Sequence, residues 1–240
     1  SDVCSSDLKD FKAANMNILK CCLDCIRCTS EVCGIGPRVA KSIMLSLVPK
    51  IHDRKLGGEV SDLFMVLGEG AGPSVVVDAL TEGMQKSKVP VQQKAAVSIL
   101  LRLVNEFGAF SLDLKVLFAY IKSDQCLLNS HVEVKNQAVE LLRVLYQQLG
   151  AVVRSLIEQS GISDLLKKTV MDALDGVAFD ATAAAVYASR PVAAAAAATA
   201  QAGQLTPSVQ TAAVQTAAAP QTVSLQDLIE RQDITAEAGP

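Results

Sequence analysis

Residues 95–108 read Ala-Ala-Val-Ser-Ile-Leu-Leu-Arg-Leu-Val-Asn-Glu-Phe-Gly and carry the clearest structural signal in the chain. Their apolar side chains recur with spacings of three and one, at Ala96, Ile99, Leu100, Leu103, Val104 and Phe107. That spacing places them on one face of an α-helix. Gly108 follows the last apolar position, where a helix commonly ends. The stretch therefore predicts an amphipathic helix that needs a partner to cover its apolar face.

Similar apolar stripes on both sides of this stretch predict further helices, over about 10–29, 37–51, 58–67, 73–85, 111–122, 138–149, 151–159 and 162–176. Pro49 is expected to loosen the end of one helix. The glycine-rich stretch from Gly68 to Pro73 predicts a loop, and Ser111 is a candidate helix cap. Alternating strand patterns are absent from the sequence.

The predicted helices form pairs that recur every 35–45 residues, with short charged turns inside each pair. One pair cannot bury its wide apolar face alone, whereas stacked pairs bury it against each other. A period near ~40 residues with two helices favours HEAT over the shorter TPR repeat. The sequence thus predicts an all-α, HEAT-repeat-like α-solenoid over residues 9–177, of about five helix pairs.

Composition divides the rest of the chain. Residues 1–8 resemble the translated end of a sequencing adapter, so they are left out of the fold and the chain is expected to be a fragment. In 178–222 the composition becomes Ala-rich, with 18 Ala among residues 181–220, which predicts a disordered linker. Residues 223–240 predict a short helical segment that leads towards a further domain.

Charge and hydropathy argue against two partner classes. The net charge is −3, and residues 9–177 carry 20 Lys and Arg against 18 Asp and Glu, which does not indicate a nucleic-acid partner. No uncharged apolar run is long enough to predict a membrane span, and the polar N-terminus does not resemble a signal peptide.

Catalytic or metal chemistry finds little support. Five of the seven cysteines crowd into residues 21–33, and Cys22, Cys25 and Cys28 have zinc-like spacing. A closed zinc site needs a second pair of ligands, and none stands at a fitting spacing. We expect reduced thiols, no cofactor, no metal and no enzyme activity; a thiol- or zinc-dependent enzyme is the distant alternative.

The charged turns are the better candidates for a site. Cations recur at His52-Asp53-Arg54-Lys55, at Lys86-Ser87-Lys88, and between His131 and Lys135. Equivalent turns of a solenoid line up along one edge, where a row of cations suits an acidic protein surface. The alternative is that these turns are charged simply because they are exposed.

Three stretches of the sequence resemble a TOG domain, the tubulin-binding HEAT array of multi-TOG microtubule polymerases, and most of all the third such domain. They are Leu47–Lys55 (LVPKIHDRK), Asn105 to Lys115, and Ala138–Gly150 (AVELLRVLYQQLG). The resemblance covers about 10–160, and 225–237 resembles the linker towards a following TOG domain.

The resemblance implies a partner and a place in the cell. Such domains bind the tubulin heterodimer or the microtubule lattice through their intra-repeat turns, promote plus-end growth, and act beside other TOG domains of the same chain. It implies a cytoplasmic protein on the cytoskeleton, at microtubules, spindle or centrosome, without nucleic acid or membrane. The rival interpretation is a generic HEAT or armadillo scaffold for another protein.

By position, the resemblance and the charged turns together nominate eight tubulin-binding residues: Asp53, Arg54, Lys55, Lys86, Lys88, Lys135, Asp10 and Lys12. This sequence departs from the family pattern at two points. The first turn of the family, with its Trp, lies upstream of this sequence, and the second Lys of the Lys88 turn is replaced by Val91.

Overall fold

The computed structural model describes residues 16–85 and 87–179. Within these residues the regular structure is helical, and no strand is present. The helices are α1 Met16–Cys33, α2 Pro37–Leu47, α3 Gly57–Ala71, α4 Pro73–Met84, α5 Pro90–Phe107, α6 Leu114–Ile121, α7 Val132–Leu149, α8 Ala151–Glu158 and α9 Asp164–Asp175. For the described residues, the prediction of an all-α fold is confirmed, although several helix bounds differ from those expected.

The helices pack in two layers. The odd-numbered helices follow one another in one layer, where α1 packs on α3, α3 on α5, α5 on α7 and α7 on α9. In the other layer α2 packs on α4, and α4 on α6. Packing between equivalent helices of successive pairs, with contacts between sequence neighbours such as α3 and α4 or α7 and α8, is that of a HEAT-like solenoid.

Ion pairs between helix starts indicate the relative direction of the odd-numbered helices. Lys20 near the start of α1 pairs with Glu59 near the start of α3, with Nζ and Oε1 2.6 Å apart. Lys94 near the start of α5 pairs in the same way with Glu133 near the start of α7, at 2.8 Å. Near the other ends, a Cβ at Gly70 would lie 3.6 Å from Ser30 Oγ, and Gln148 Nε2 donates to the carbonyl oxygen of Val104 at 3.1 Å. These helices therefore run parallel, and their N-termini lie on one edge of the solenoid.

The opposite edge is made of tighter turns with glycine in a left-handed backbone conformation. Among the described residues Gly34, Gly72, Gly108 and Gly150 have positive φ, and each follows an odd-numbered helix directly. A side chain at such a φ is strained, so glycine suits the reversal. The four positions mark one boundary per helix pair.

The structure corrects two predictions about helix ends. Gly68 and Gly70 are not in a loop but in the last turn of α3, and the loop shrinks to Gly72. Gly68 is buried, and a Cβ there would lie 2.9 Å from Cγ2 of Val76, so the missing side chain lets α4 pack closely.

The predicted cap Ser111 is also wrong. Asp113 precedes α6, and its Oδ1 accepts a hydrogen bond from Val116 N at 3.1 Å, while Ser111 lies in the 3-10 turn Ala109–Ser111. The expected effect of Pro49 is confirmed, since α2 ends at Leu47 and a 3-10 turn, Val48–Lys50, follows. The segments 1–8 and 223–240 lie outside the described residues, as does 178–222 apart from its first two residues.

Candidate functional site

Four turns join the even-numbered helices to the odd-numbered ones and form what we term the turn edge. They are the first turn, 48–56, the second turn, 85–89, the third turn, 122–131, and the fourth turn, 159–163. The second and third turns contact each other directly, because Nε2 of Gln125 donates to the carbonyl oxygen of Gln85 at 3.1 Å. The expected alignment of the charged turns along one edge is therefore present.

In the first turn, Asp53 holds the backbone that carries Arg54 and Lys55. Its Oδ1 accepts hydrogen bonds from Lys55 N at 2.8 Å and from Leu56 N at 3.2 Å. The bond from Lys55 N is the main reason that the pKa of Asp53 lies below its usual value. Arg54 and Lys55 are exposed, so Asp53 positions these two cations rather than pointing outward with them.

The second turn is fixed by two neighbouring amides of α5. Gln93 Nε2 donates to the carbonyl oxygen of Ser87 at 3.0 Å, and Ser87 Oγ donates to Gln92 Oε1 at 2.9 Å. Gln92 Nε2 in turn donates to the carbonyl oxygen of Val48 in the first turn, at 3.1 Å. Lys88 is exposed beside this buried network. The first two turns are thus tied together beneath the surface.

The third turn is organised by Asn129, whose side chain is buried. Its Nδ2 donates to Gln93 Oε1 at 2.8 Å and to the carbonyl oxygen of Asp124 at 2.9 Å. Its Oδ1 accepts from His131 N at 2.9 Å, directly before α7 begins. Lys135 lies one helical turn into α7 and is half-buried.

These contacts form one chain of hydrogen bonds from the first turn to the third, through Val48, Gln92, Ser87, Gln93 and Asn129. Buried polar groups that are fully paired rigidify their surroundings. Sequence reasoning missed the chain because polar residues in a stripe pattern are normally assigned to the solvent face. The adjacent pair Gln92-Gln93 at a helix start was the available signal.

The cations of the described region fall into two sets, and both sets include residues of the turn edge. Arg54, Lys55, Lys88 and Lys135 form no ion pair with another residue that the structure describes. By contrast, Lys20, Lys41, Lys94, Arg102, Arg143 and Arg154 each pair with a carboxylate. Of the eight nominated residues, Asp10, Lys12 and Lys86 lie outside the described residues.

A groove of about 440 Å³ separates the second turn from the third. It is lined by Ser87, Lys88, Gln93, Asp124, Gln125, Leu128, Asn129, Ser130 and His131. The lining carries one lysine and one histidine against one carboxylate. A partner group that enters this groove therefore meets hydrogen-bonding side chains and the opposite charges of Lys88 and Asp124.

The cysteine cluster is spread along α1, from Cys21 in its first half to Cys33 at its end. Cys21, Cys25 and Cys28 are exposed, and the Cys21 thiol raises the pKa of Cys25. Within 16–85 and 87–179, no group of three or more His, Cys, Asp or Glu is arranged to hold a metal ion.

None of the helices of the described region combines the length and the apolar character that crossing a bilayer demands.

The fold of the described region is that of a HEAT-like solenoid. The chain is similar in structure to Drosophila melanogaster Mini spindles TOG3, with a TM-score of 0.61, 20% identity, and coverage of 69% of this chain and 71% of that one. The resemblance to a TOG domain is thereby confirmed at the level of fold.

The chain is also similar in sequence to a much longer protein. The chain is 25% identical over 182 residues to Centrosomal protein 224 of Dictyostelium discoideum. The match covers 70% of this chain but spans only 8% of the length of that relative. No protein-family profile matches the chain.

Proposed function

We propose that this chain is a tubulin-binding module of a microtubule-associated protein and that it contacts tubulin through the turn edge. The observation that carries the proposal is a set of cations that lack ion pairs with other described residues: Arg54, Lys55 and Lys88 on turns tied together by buried amides, and the half-buried Lys135 near the start of α7. Preorganised cations suit an acidic protein surface.

The similarity to a TOG domain named for Mini spindles and to a protein named centrosomal supports this partner. In this proposal the chain works as a binding module without catalysis, beside other TOG domains of a longer protein. The longer protein is a microtubule polymerase that promotes plus-end growth, and it acts on the cytoskeleton. Lys86, Asp10 and Lys12 complete the proposed contact.

The test measures co-sedimentation of the 240-residue chain with microtubules, and its binding to free tubulin, at low and high salt. We expect binding that weakens with salt, because exposed charges are screened. The double variant Arg54→Glu/Lys55→Glu should bind about ten-fold more weakly or worse, since each charge reversal adds repulsion.

The matched control reverses two exposed cations on the opposite edge, Arg38→Glu/Lys115→Glu, with the same change in net charge. It should bind like the wild type. Equal weakening in both variants would assign the effect to net charge alone. Absence of binding at low salt by protein of native helicity would reject tubulin and favour a HEAT scaffold for another protein.

A further inference from the structure

Exposed apolar side chains are concentrated on the turn edge. Nine large hydrophobic residues are exposed in the described part of the chain, and five of them belong to the second, third and fourth turns or to the helix starts that follow: Val89, Val91, Leu128, Val132 and Leu165. Single exposed hydrophobic residues are normal on any protein surface, whereas a concentration on one edge is typical of an interaction site.

Three of these residues form a row, which we term the apolar row. Val91, Val132 and Leu165 each stand at the first or second position of an odd-numbered helix, α5, α7 and α9. Their side chains are 60%, 67% and 80% exposed. The starts of α5 and α7 are joined by the Lys94–Glu133 ion pair.

Helix α9 continues the row in the same direction. Arg143 Nε in the second half of α7 donates to the carbonyl oxygen of Ala173 in the second half of α9, at 3.1 Å. Further along, a Cβ at Gly150 after α7 would lie 3.1 Å from Cδ2 of Phe179 after α9, so both contacts advance in the same order. The two helices therefore run parallel, and their starts lie on the turn edge together. The apolar row thus follows that edge from the second turn to the fourth.

The fold of the described region does not require these side chains. They are largely solvent-exposed, and the first turn of a helix favours acidic or capping residues over valine and leucine. Exposed valine also has only a modest helix propensity. In the isolated chain these side chains are unfavourably exposed to water, and their presence is explained if a partner covers them.

The first turn is built differently. Its large apolar side chains, Val48, Ile51 and Leu56, are buried, and its exposed side chains include the cations Arg54 and Lys55. The turn edge therefore has exposed cations without exposed large hydrophobic residues at the first turn, and exposed hydrophobic residues among polar ones beyond it, where Lys88 and Lys135 flank the row.

We propose that the apolar row Val91, Val132 and Leu165 is the salt-independent half of the binding surface for the same partner, and that it packs on an apolar patch beside an acidic patch of tubulin. This inference rests on the proposed function. The flanking cations favour such a partner over a purely apolar one, since they match the acidic patch at the border of the row. Binding is then the sum of a screened and an unscreened contribution.

The experiment measures the affinity of the 240-residue chain for free tubulin at several salt concentrations. The triple variant Val91→Ser/Val132→Ser/Leu165→Ser should bind about ten-fold more weakly at every salt concentration, with an unchanged salt dependence, because burial of apolar surface is lost. Arg54→Glu/Lys55→Glu should instead reduce the salt dependence. The isosteric pair Val91→Thr/Val132→Thr, checked by circular dichroism, gives the same readout with less risk to folding.

The matched control is Val32→Ser/Val39→Ser, which removes two exposed valines, 82% and 58% exposed, beside the opposite edge. It should leave affinity unchanged. If the wild type binds tubulin and the triple and threonine variants bind equally well, the apolar row is not a contact and this inference fails alone. If the wild type does not bind at any salt concentration, the proposed function itself fails.

A third outcome would also overturn the inference. Sedimentation velocity of the wild type should show a monomer at the concentrations used for binding. A dimer that the triple variant abolishes, with tubulin binding retained, would make the apolar row a surface for self-association.

Discussion

Asn129 donates a hydrogen bond from Nδ2 to Oε1 of Gln93 across 2.8 Å, and the two residues are only 4% and 6% exposed. The bond joins the third turn to the start of α5, which also carries the bonds to the second and first turns. An intact buried hydrogen bond adds only modestly to the free energy of unfolding. Removal of one partner leaves the other buried and unpaired, which destabilises the fold much more. It therefore controls the geometry of three turns at once.

The first prediction concerns this residue. Asn129→Ala should lower the free energy of unfolding by about 1–3 kcal/mol, because Gln93 Oε1 and His131 N lose their partner. Urea denaturation measures the change. The exposed neighbour Ser130→Ala is the control and should stay within about 0.5 kcal/mol of the wild type. Equal stability of both variants would contradict a structural role for Asn129.

The second prediction compares two glycines of α3. Gly68→Ala should destabilise the fold by about 1–3 kcal/mol, because the new methyl group would lie 2.9 Å from Val76 Cγ2. Gly58→Ala meets nothing within 4 Å and should stabilise the helix by about 0.5–1 kcal/mol. Thermal and urea unfolding test both signs. A stabilising Gly68→Ala would show that α4 does not pack as closely as described.

The third prediction concerns pH. The pKa of Asp53 is lowered in the folded state, chiefly by the bond from Lys55 N, so its contribution to stability is complete above pH ~4 and declines as the pH falls through the lowered pKa. Asp53→Ala should therefore be less stable than the wild type at pH 7, and the difference should shrink below pH ~3.

Urea unfolding across this pH range measures the effect. Asp53→Asn is the control, since its side-chain oxygen still accepts the two backbone bonds but carries no charge to titrate. It should be intermediate in stability and lack the acid-dependent change. A constant difference between wild type and Asp53→Ala at all pH values would exclude the charge of Asp53 as the cause.

The fourth prediction increases binding. Glu133 neutralises Lys94 at the start of α7, and the bond from Lys94 lowers the pKa of Glu133. Glu133→Gln should leave Lys94 with an unbalanced charge on the turn edge and strengthen tubulin binding about two-fold at low salt. The control Asp175→Asn releases Arg154 at the opposite edge, where binding should not change. Weaker binding by Glu133→Gln would argue that an acidic partner does not approach this helix start.

The helices and their pairing were predictable from the sequence because apolar stripes such as that of α5 are local signals, complete within two or three helical turns. The glycines at 68 and 70, which were wrongly assigned to a loop, show the limit of prediction from local sequence. A glycine favours a loop in the absence of other information, but Gly68 is explained by Val76, which approaches it from the next helix.

The site was predictable only in outline. Charged turns indicated which edge to examine, whereas the residues that hold those turns are joined by contacts 36 and 44 positions apart, as in Asn129–Gln93 and Gln92–Val48. Such pairs are not visible as a pattern in one sequence. The role of Asp53 as a backbone acceptor likewise depends on the conformation of the turn, which the residue types alone do not specify.

The glycines at 34, 72, 108 and 150 are 38, 36 and 42 residues apart. Their spacing would allow the turn edge to be lengthened by whole helix pairs. The stretch from one to the next carries one complete helix pair and one turn of the edge. A duplication or deletion whose ends fall at two of these glycines would join backbone at positions that both have positive φ. The turn edge can therefore grow or shrink by whole helix pairs during evolution or engineering, with each remaining pair left intact.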